Sequence, residues 1–149
     1  GNFTLPLAHR FRRVLATELS KRATAAAAHN ATANHIGNLE LARLSAAAMS
    51  QEMAGDRPFR RLSALKEPLS SFEFETLLVD PPRAGLDSDT LGLARGFARI
   101  LYISCNPKSL IENLAELSET HSIEALAFFD QFPYTEHLES GVILKRRLI

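Results

Sequence analysis

An α/β fold with a doubly wound, mostly parallel sheet is predicted by three observations. Short apolar runs alternate with helical patterns along the 149 residues, as in chains of βαβ units. The run Ile100-Leu-Tyr-Ile-Ser-Cys105 ends on the only cysteine, and Asn106-Pro107 then opens a helical pattern. That punctuation reads as a buried strand with the thiol at its carboxyl end. Phe74–Val79 is a second apolar run, stopped by Asp80-Pro81-Pro82, and reads as a central strand buried on both faces.

Taken in order, Leu5–Phe11 forms a short helix with Pro6 in its first turn, where the missing N–H costs little. Arg13–Glu18 is a strand ending on an acid. Ser20 caps an alanine-rich helix running to His35, and Ile36-Gly37-Asn38 breaks it. Leu39–Leu44 forms the next strand, and Ser45 caps a helix to Met53. Gly55–Ser71 is polar, basic and proline-punctuated, hence a loop. After the prolines, Asp87–Phe97 is a helix with an Asp/Ser cap, and Lys108–Glu119 is amphipathic. Ser122–Phe128 is a strand, Phe129–Ser140 an aromatic and acidic loop, and Gly141–Lys145 the last strand of a terminal hairpin. His35 and His121 read as surface residues at helix ends.

Composition excludes several classes. A length of 149 residues suits one domain, and 46% hydrophobic with 23% charged residues is ordinary for a globular protein. A single cysteine rules out an intramolecular disulfide, a four-cysteine zinc site or an iron–sulfur cluster held by this chain alone, and fits a reducing cytoplasm. No segment is apolar for long enough to span a bilayer. The formal net charge is zero, so whole-chain electrostatics do not announce a nucleic-acid binder. Basic clusters at Arg10, Arg12 and Arg13, at Arg57, Arg60 and Arg61, and at Lys145–Arg147 are the pattern of solvated surface more often than of phosphate contacts.

The chemistry-bearing residues gather at predicted strand ends. In open α/β sheets ligands bind at the carboxyl edge, and an acid ending the second strand of a βαβ unit accepts hydrogen bonds from ribose hydroxyls. Glu18 has that position. Asp80-Pro81-Pro82-Arg83 makes a rigid loop at the same edge, suited to a planar substrate. Cys105 is a nucleophile by position, although free cysteines are very often small buried apolar residues. A helix starting just after Cys105 would turn its positive end toward the sulfur and favour the thiolate.

Five motifs occur in a shared order. Gly-Asn-Phe-Thr-Leu at the start, Val-Leu-Ala-Thr-Glu-Leu-Ser-Lys, Val-Asp-Pro-Pro-Arg-Ala-Gly-Leu-Asp, Ile-Leu-Tyr-Ile-Ser-Cys-Asn-Pro, and Phe-Asp-Gln-Phe-Pro-Tyr-Thr with the following His-Leu-Glu-Ser-Gly resemble the RNA (uracil-5-)-methyltransferases. The last motif is similar to the transfer-RNA branch. The resemblance implies a Rossmann-like class I methyltransferase fold with S-adenosyl-L-methionine held at the strand ends. It implies cofactor contacts at Asn2, Glu18 and Asp80, the nucleophile at Cys105 and the general base at Glu139. His137 has base chemistry too, but the matching position is Glu139. Pro81, Pro82 and Arg83 would frame the pocket for the target base. The implied substrate is a T-loop uridine in tRNA, the implied compartment the cytoplasm, and neither a metal nor a membrane is called for.

The chemistry accounts for these residue types. C5 of uracil has no lone pair with which to attack a sulfonium methyl. A thiolate adding to C6 turns the ring into an enolate whose C5 is nucleophilic. A carboxylate must then remove the C5 proton before the sulfur is expelled. Residues 1–149 are accordingly read as part of a catalytic domain, without its amino-terminal RNA-binding region and first central strand. Taken alone, such a piece is expected neither to bind S-adenosyl-L-methionine appreciably nor to methylate RNA. Other readings are an rRNA uracil-5-methyltransferase and a non-catalytic RNA- or partner-binding module. An amine methyltransferase needs no cysteine and usually places an aromatic after its prolines, where this chain has Arg83.

Overall fold

The computed structural model describes residues 2–53, 55, 62, 65–135 and 137–148. The chain divides into two compact units, Gly1–Glu73 and Phe74–Ile149.

In the first unit, α1 (Thr4–Ala8) precedes β1 (Val14–Thr17), α2 (Lys21–Ala33), β2 (Leu39–Ala42) and α3 (Ala46–Met53). The β1 and β2 strands are parallel, with Val14 opposite Leu39 and Thr17 opposite Ala42. The helix starts are set by side-chain caps. Ser20 Oγ accepts from the Ala23 N–H at 3.2 Å, and Ser45 Oγ from that of Ala48 at 3.0 Å. Among the described residues, Ala42, Leu44, Met49 and Leu62 are buried together as one core, flanked by Leu15, Ala48 and Leu69. Its polar clamp is Arg13, which pairs with Glu40 at 3.1 Å and lies 3.7 Å over the Phe72 ring. Glu40 also accepts from the Lys66 N–H at 2.8 Å. Of the predicted loop Gly55–Ser71, positions 56–61, 63 and 64 lie outside the described residues, and Leu69–Ser71 is a turn of 3-10 helix.

The second unit holds β3 (Thr76–Val79), α4 (Ser88–Ala94), β4 (Arg99–Ser104), α5 (Pro107–Leu117), β5 (His121–Phe129) and β6 (Glu139–Arg146). Its sheet order is β3-β4-β6-β5, parallel between β3 and β4 and antiparallel on both sides of β6. The expected terminal hairpin is therefore present, and its second strand is inserted beside β4. Alternation along β4 puts Ile100, Tyr102 and Ser104 on a buried face with Val142, Leu144 and Ser140 of β6. This face packs with Leu91 and Ala94 of α4 and Leu110 and Leu117 of α5. The spacing Leu110, Asn113, Leu114, Leu117 gives α5 its inward stripe. Asp87 caps α4 by accepting from the Thr90 N–H at 2.7 Å, and that bond holds its carboxyl below the ordinary value.

Three expectations need correction. His121 is not a surface residue: it opens β5 fully buried, its Nε2–H donating to the Phe97 carbonyl at 3.0 Å and Nδ1 meeting the Thr120 hydroxyl at 2.8 Å. Residues of β3 are only half-buried before Val79, β3 having β4 as its one strand neighbour among the described residues. Glu139 belongs to a strand, as the first residue of β6 opposite Phe129, and not to the preceding loop.

Candidate functional site

Two of the residues implied as cofactor contacts belong to the first unit. Asn2 is exposed ahead of α1. Glu18 follows β1, and its amide donates to the Ala42 carbonyl at 3.0 Å, so the residue stays aligned with the sheet. Its Oε1 accepts from the Ser20 N–H at 2.8 Å. The carboxylate is thereby oriented while the residue remains exposed, which leaves oxygen lone pairs to offer a ligand hydroxyl.

The second unit carries Asp80, Cys105 and Glu139. Asp80 follows β3 and is exposed as a residue, yet partial burial strips water from its carboxyl and pushes it above its ordinary value. Cys105 follows β4 and is half-buried, with Asn106 behind it as the cap of α5. Antiparallel pairing runs from Arg99 opposite Lys145 to Ser104 opposite Ser140. Cys105 is the next residue after β4, and Glu139 stands just before Ser140 in β6, so a thiol and a carboxylate distant in the chain lie at the same end of the sheet.

Near these residues the structure joins Arg83, expected to frame the base pocket, to His137, weighed as a base, and brings in Asn106 and Asn113, to which the sequence gave no site role. Arg83 Nη2 donates to a ring nitrogen of His137, joining the proline loop to the stretch leading into Glu139. The exposed aromatics Phe132 and Tyr134 stand in that stretch, Tyr134 with a left-handed backbone at φ 67°. Asn106 Nδ2 donates to the Arg83 carbonyl at 2.7 Å, while its Oδ1 accepts from the Lys108 N–H at 3.2 Å. Asn113, buried on α5, accepts from the Leu86 N–H at 2.8 Å and from the Tyr102 hydroxyl at 2.7 Å. Desolvation of that phenol pushes its pKa up to about 12. Asn106 had a local signal, since Asn before Pro is a helix-start pattern. Asn113 had only a weaker one, a polar residue on the apolar stripe of α5.

Comparison with known proteins follows the same outline. A tRNA/tmRNA (uracil-C(5))-methyltransferase of Pseudomonas entomophila is 58% identical over 147 residues, covering 99% of this chain and 40% of that protein. The chain therefore spans about two-fifths of the length of such relatives. The crystal structure of the Pyrococcus abyssi tRNA (uracil-54, C5)-methyltransferase, in complex with S-adenosyl-L-homocysteine, superposes with a TM-score of 0.70. It is 26% identical, and the match covers 97% of this chain and 31% of that one. An rRNA methylase from Streptococcus thermophilus, 13% identical with a TM-score of 0.63, shares the fold over 99% of this chain and 81% of its own. The mixed sheet is that of the class I, S-adenosylmethionine-dependent methyltransferases. The family model described as tRNA (Uracil-5-)-methyltransferase matches residues 1–147, and the chain belongs to that family.

Proposed function

We propose that the protein bearing this chain methylates C5 of a uridine in tRNA, using S-adenosyl-L-methionine and a transient bond between Cys105 and C6 of the base. The observation that carries the reading is the β4–β6 register, whose last pair, Ser104 opposite Ser140, adjoins Cys105 on one strand and Glu139 on the other. Family membership and the names of the relatives, whose RNAs are tRNA and tmRNA, support the substrate class. The T-loop is the site within tRNA that we favour, in line with the uracil-54 enzyme of similar fold.

Glu18 is an oriented acceptor suited to ribose hydroxyls, and Asn2 and Asp80 are assigned as further cofactor contacts on the family resemblance. When bound, S-adenosyl-L-methionine supplies an electrophilic methyl group on a sulfonium. The chain's own residues do the rest. Cys105 as thiolate adds to C6, and the electron pair of the C5–C6 bond moves into the ring as an enolate. C5 becomes the carbon nucleophile. Once C5 is methylated, the Glu139 carboxylate takes the C5 proton, the double bond re-forms, and the sulfur leaves as thiolate. The Asp80–Arg83 loop borders the pocket, its two prolines leaving the base few backbone donors to contact.

The test uses 5-fluorouridine-containing tRNA with the intact protein. Fluorine blocks the deprotonation, so a covalent protein–RNA species should accumulate and map to the Cys105 peptide. Cys105→Ala should form none and lose turnover by at least about a thousandfold. Glu139→Gln should trap the adduct even on ordinary tRNA. Substantial turnover by Cys105→Ala would sink the nucleophile assignment.

A further inference from the structure

The loop carrying Asp80 and Arg83 is tied to α5 at two points, and the helix starts directly behind Cys105. At the first point, Asn106 Nδ2 donates to the Arg83 carbonyl at 2.7 Å. The same side chain's Oδ1 accepts from the Lys108 N–H at 3.2 Å, so the amide is used at both ends. At the second point, Asn113 Oδ1 accepts from the Leu86 N–H at 2.8 Å, and its amide reaches the Leu86 carbonyl at 3.5 Å. Asn113 is itself held by Tyr102 of β4, the strand that ends beside the thiol. Asn106 is locked by its neighbour as well: Ser104 Oγ accepts from the Asn106 N–H at 3.1 Å and donates to the Asn106 carbonyl at 3.0 Å.

From this we infer that Asn106 is a positioning residue: its side-chain amide sets the Arg83 loop at a fixed offset from the Cys105 thiol. The inference rests on the methyltransferase reading for its functional meaning. A helix cap needs only an acceptor, and serine or aspartate would serve equally well there. The second hydrogen bond needs a donor, which neither of them can direct onto a carbonyl in the same way. The requirement for both groups on one side chain selects asparagine. What the bond transmits is Arg83: its backbone is held by Asn106, and its guanidinium reaches over to His137 just ahead of Glu139. Misplacement of a substrate-contacting group by about 1 Å is enough to cost a hundredfold in rate.

The decisive variant in the intact protein is Asn106→Ser, which keeps the cap but replaces the amide donor by a shorter side chain with a single hydroxyl. Its kcat on tRNA should fall about tenfold or more. The rate of iodoacetamide alkylation at the Cys105 peptide should stay within about twofold, because the helix end behind the sulfur is unchanged. Arg83→Ala combined with Asn106→Ser should be no slower than the slower single variant, since one acts through the other. Fold-losses that multiply, or a kcat within twofold of wild type, overturn the inference. Asn106→Asp repeats the same cycle if the serine variant does not fold. An arm independent of activity is amide exchange: residues 83–86 should exchange faster in Asn106→Ser. Unchanged exchange there rejects the tether, whereas an inactive wild type rejects the methyltransferase reading and leaves the exchange result to stand by itself.

Discussion

Ser104 and Ser140 face one another on the last rung of the β4–β6 ladder, and both are buried, but their hydroxyls have different surroundings. Ser104 Oγ is engaged by both backbone groups of Asn106. Ser140 Oγ has no partner among the described residues. Replacing Ser104 with alanine should therefore cost about 1–2 kcal/mol, whereas Ser140→Ala should leave stability unchanged or raise it. Thermal melts of the two variants check this, and a loss at Ser140 as large as that at Ser104 would contradict it. At this scale the sequence was readable where chemistry is local. Cys105 stood out because it ends an apolar run. Glu139 was singled out by resemblance alone, since nothing local distinguishes it from a solvated loop acid. The donor on Asn106 and the acceptor on Asn113 were invisible, because their partners Arg83 and Leu86 become neighbours only through the fold.

Among the elements, the loop from Asp80 to Asp87 depends most on a single glycine. Gly85 has φ +82°, and a Cβ there would lie 2.6 Å from Asn113 Oδ1 and 3.1 Å from Ser109 Cβ. Alanine would meet both a left-handed backbone and the buried amide that holds Leu86. Gly85→Ala should cost about 2–4 kcal/mol. Gly92, inside α4, has open space where its Cβ would be. Gly92→Ala should instead stabilise by up to about 1 kcal/mol through helix propensity. Denaturant midpoints moving in opposite directions are the expected result; a shared direction would refute the steric account of Gly85. Helix starts were the most legible part of the fold, because Ser20, Ser45 and Asp87 are caps that act within three residues. His121 was misread because a histidine after a helix looks solvated, whereas as the first residue of β5 it points inward against Phe97. Strand order escaped the sequence too. Pairing β6 with β4 is a long-range choice, made by matching Val142 and Leu144 to the buried face of Tyr102 and Ile100.

For the molecule as a whole, cohesion is unequal. The β4 and β6 strands are each flanked by strands on both sides, while β1 and β2 have one partner each. The core behind β4 joins Ile100, Tyr102, Leu110, Leu117, Val142 and Leu144, all almost fully buried. Among the described residues, the first unit's core cluster gathers fewer and smaller side chains. Hydrogen exchange followed by mass spectrometry should show amides of Arg99–Ser104 and Glu139–Arg146 protected about tenfold or more beyond those of Val14–Thr17 and Leu39–Ala42. Equal protection would mean that the two cores open as one. The outer strand β5 exposes Ile123, Leu126, Phe128 and Phe129, and its register shifts between Ile123 and Ala125. That bulge and the Arg99–Glu124 ion pair interrupt an edge otherwise suited to pairing with another chain.

The insertion of β6 between β4 and β5 has a consequence for biosynthesis. As the chain leaves the ribosome, β4 and then β5 are complete while the slot between them is still empty. β4 can pair with β3 at once, but neither β4 nor β5 can gain β6 as a neighbour until residues 139–146 have been translated. Cys105 is thus made well before Glu139, which ends up at the same end of the sheet. Because closing this slot requires a long-range pairing, it is a slow step by topology. A nascent protein of this kind would carry its cysteine at the end of an unfinished sheet through that interval.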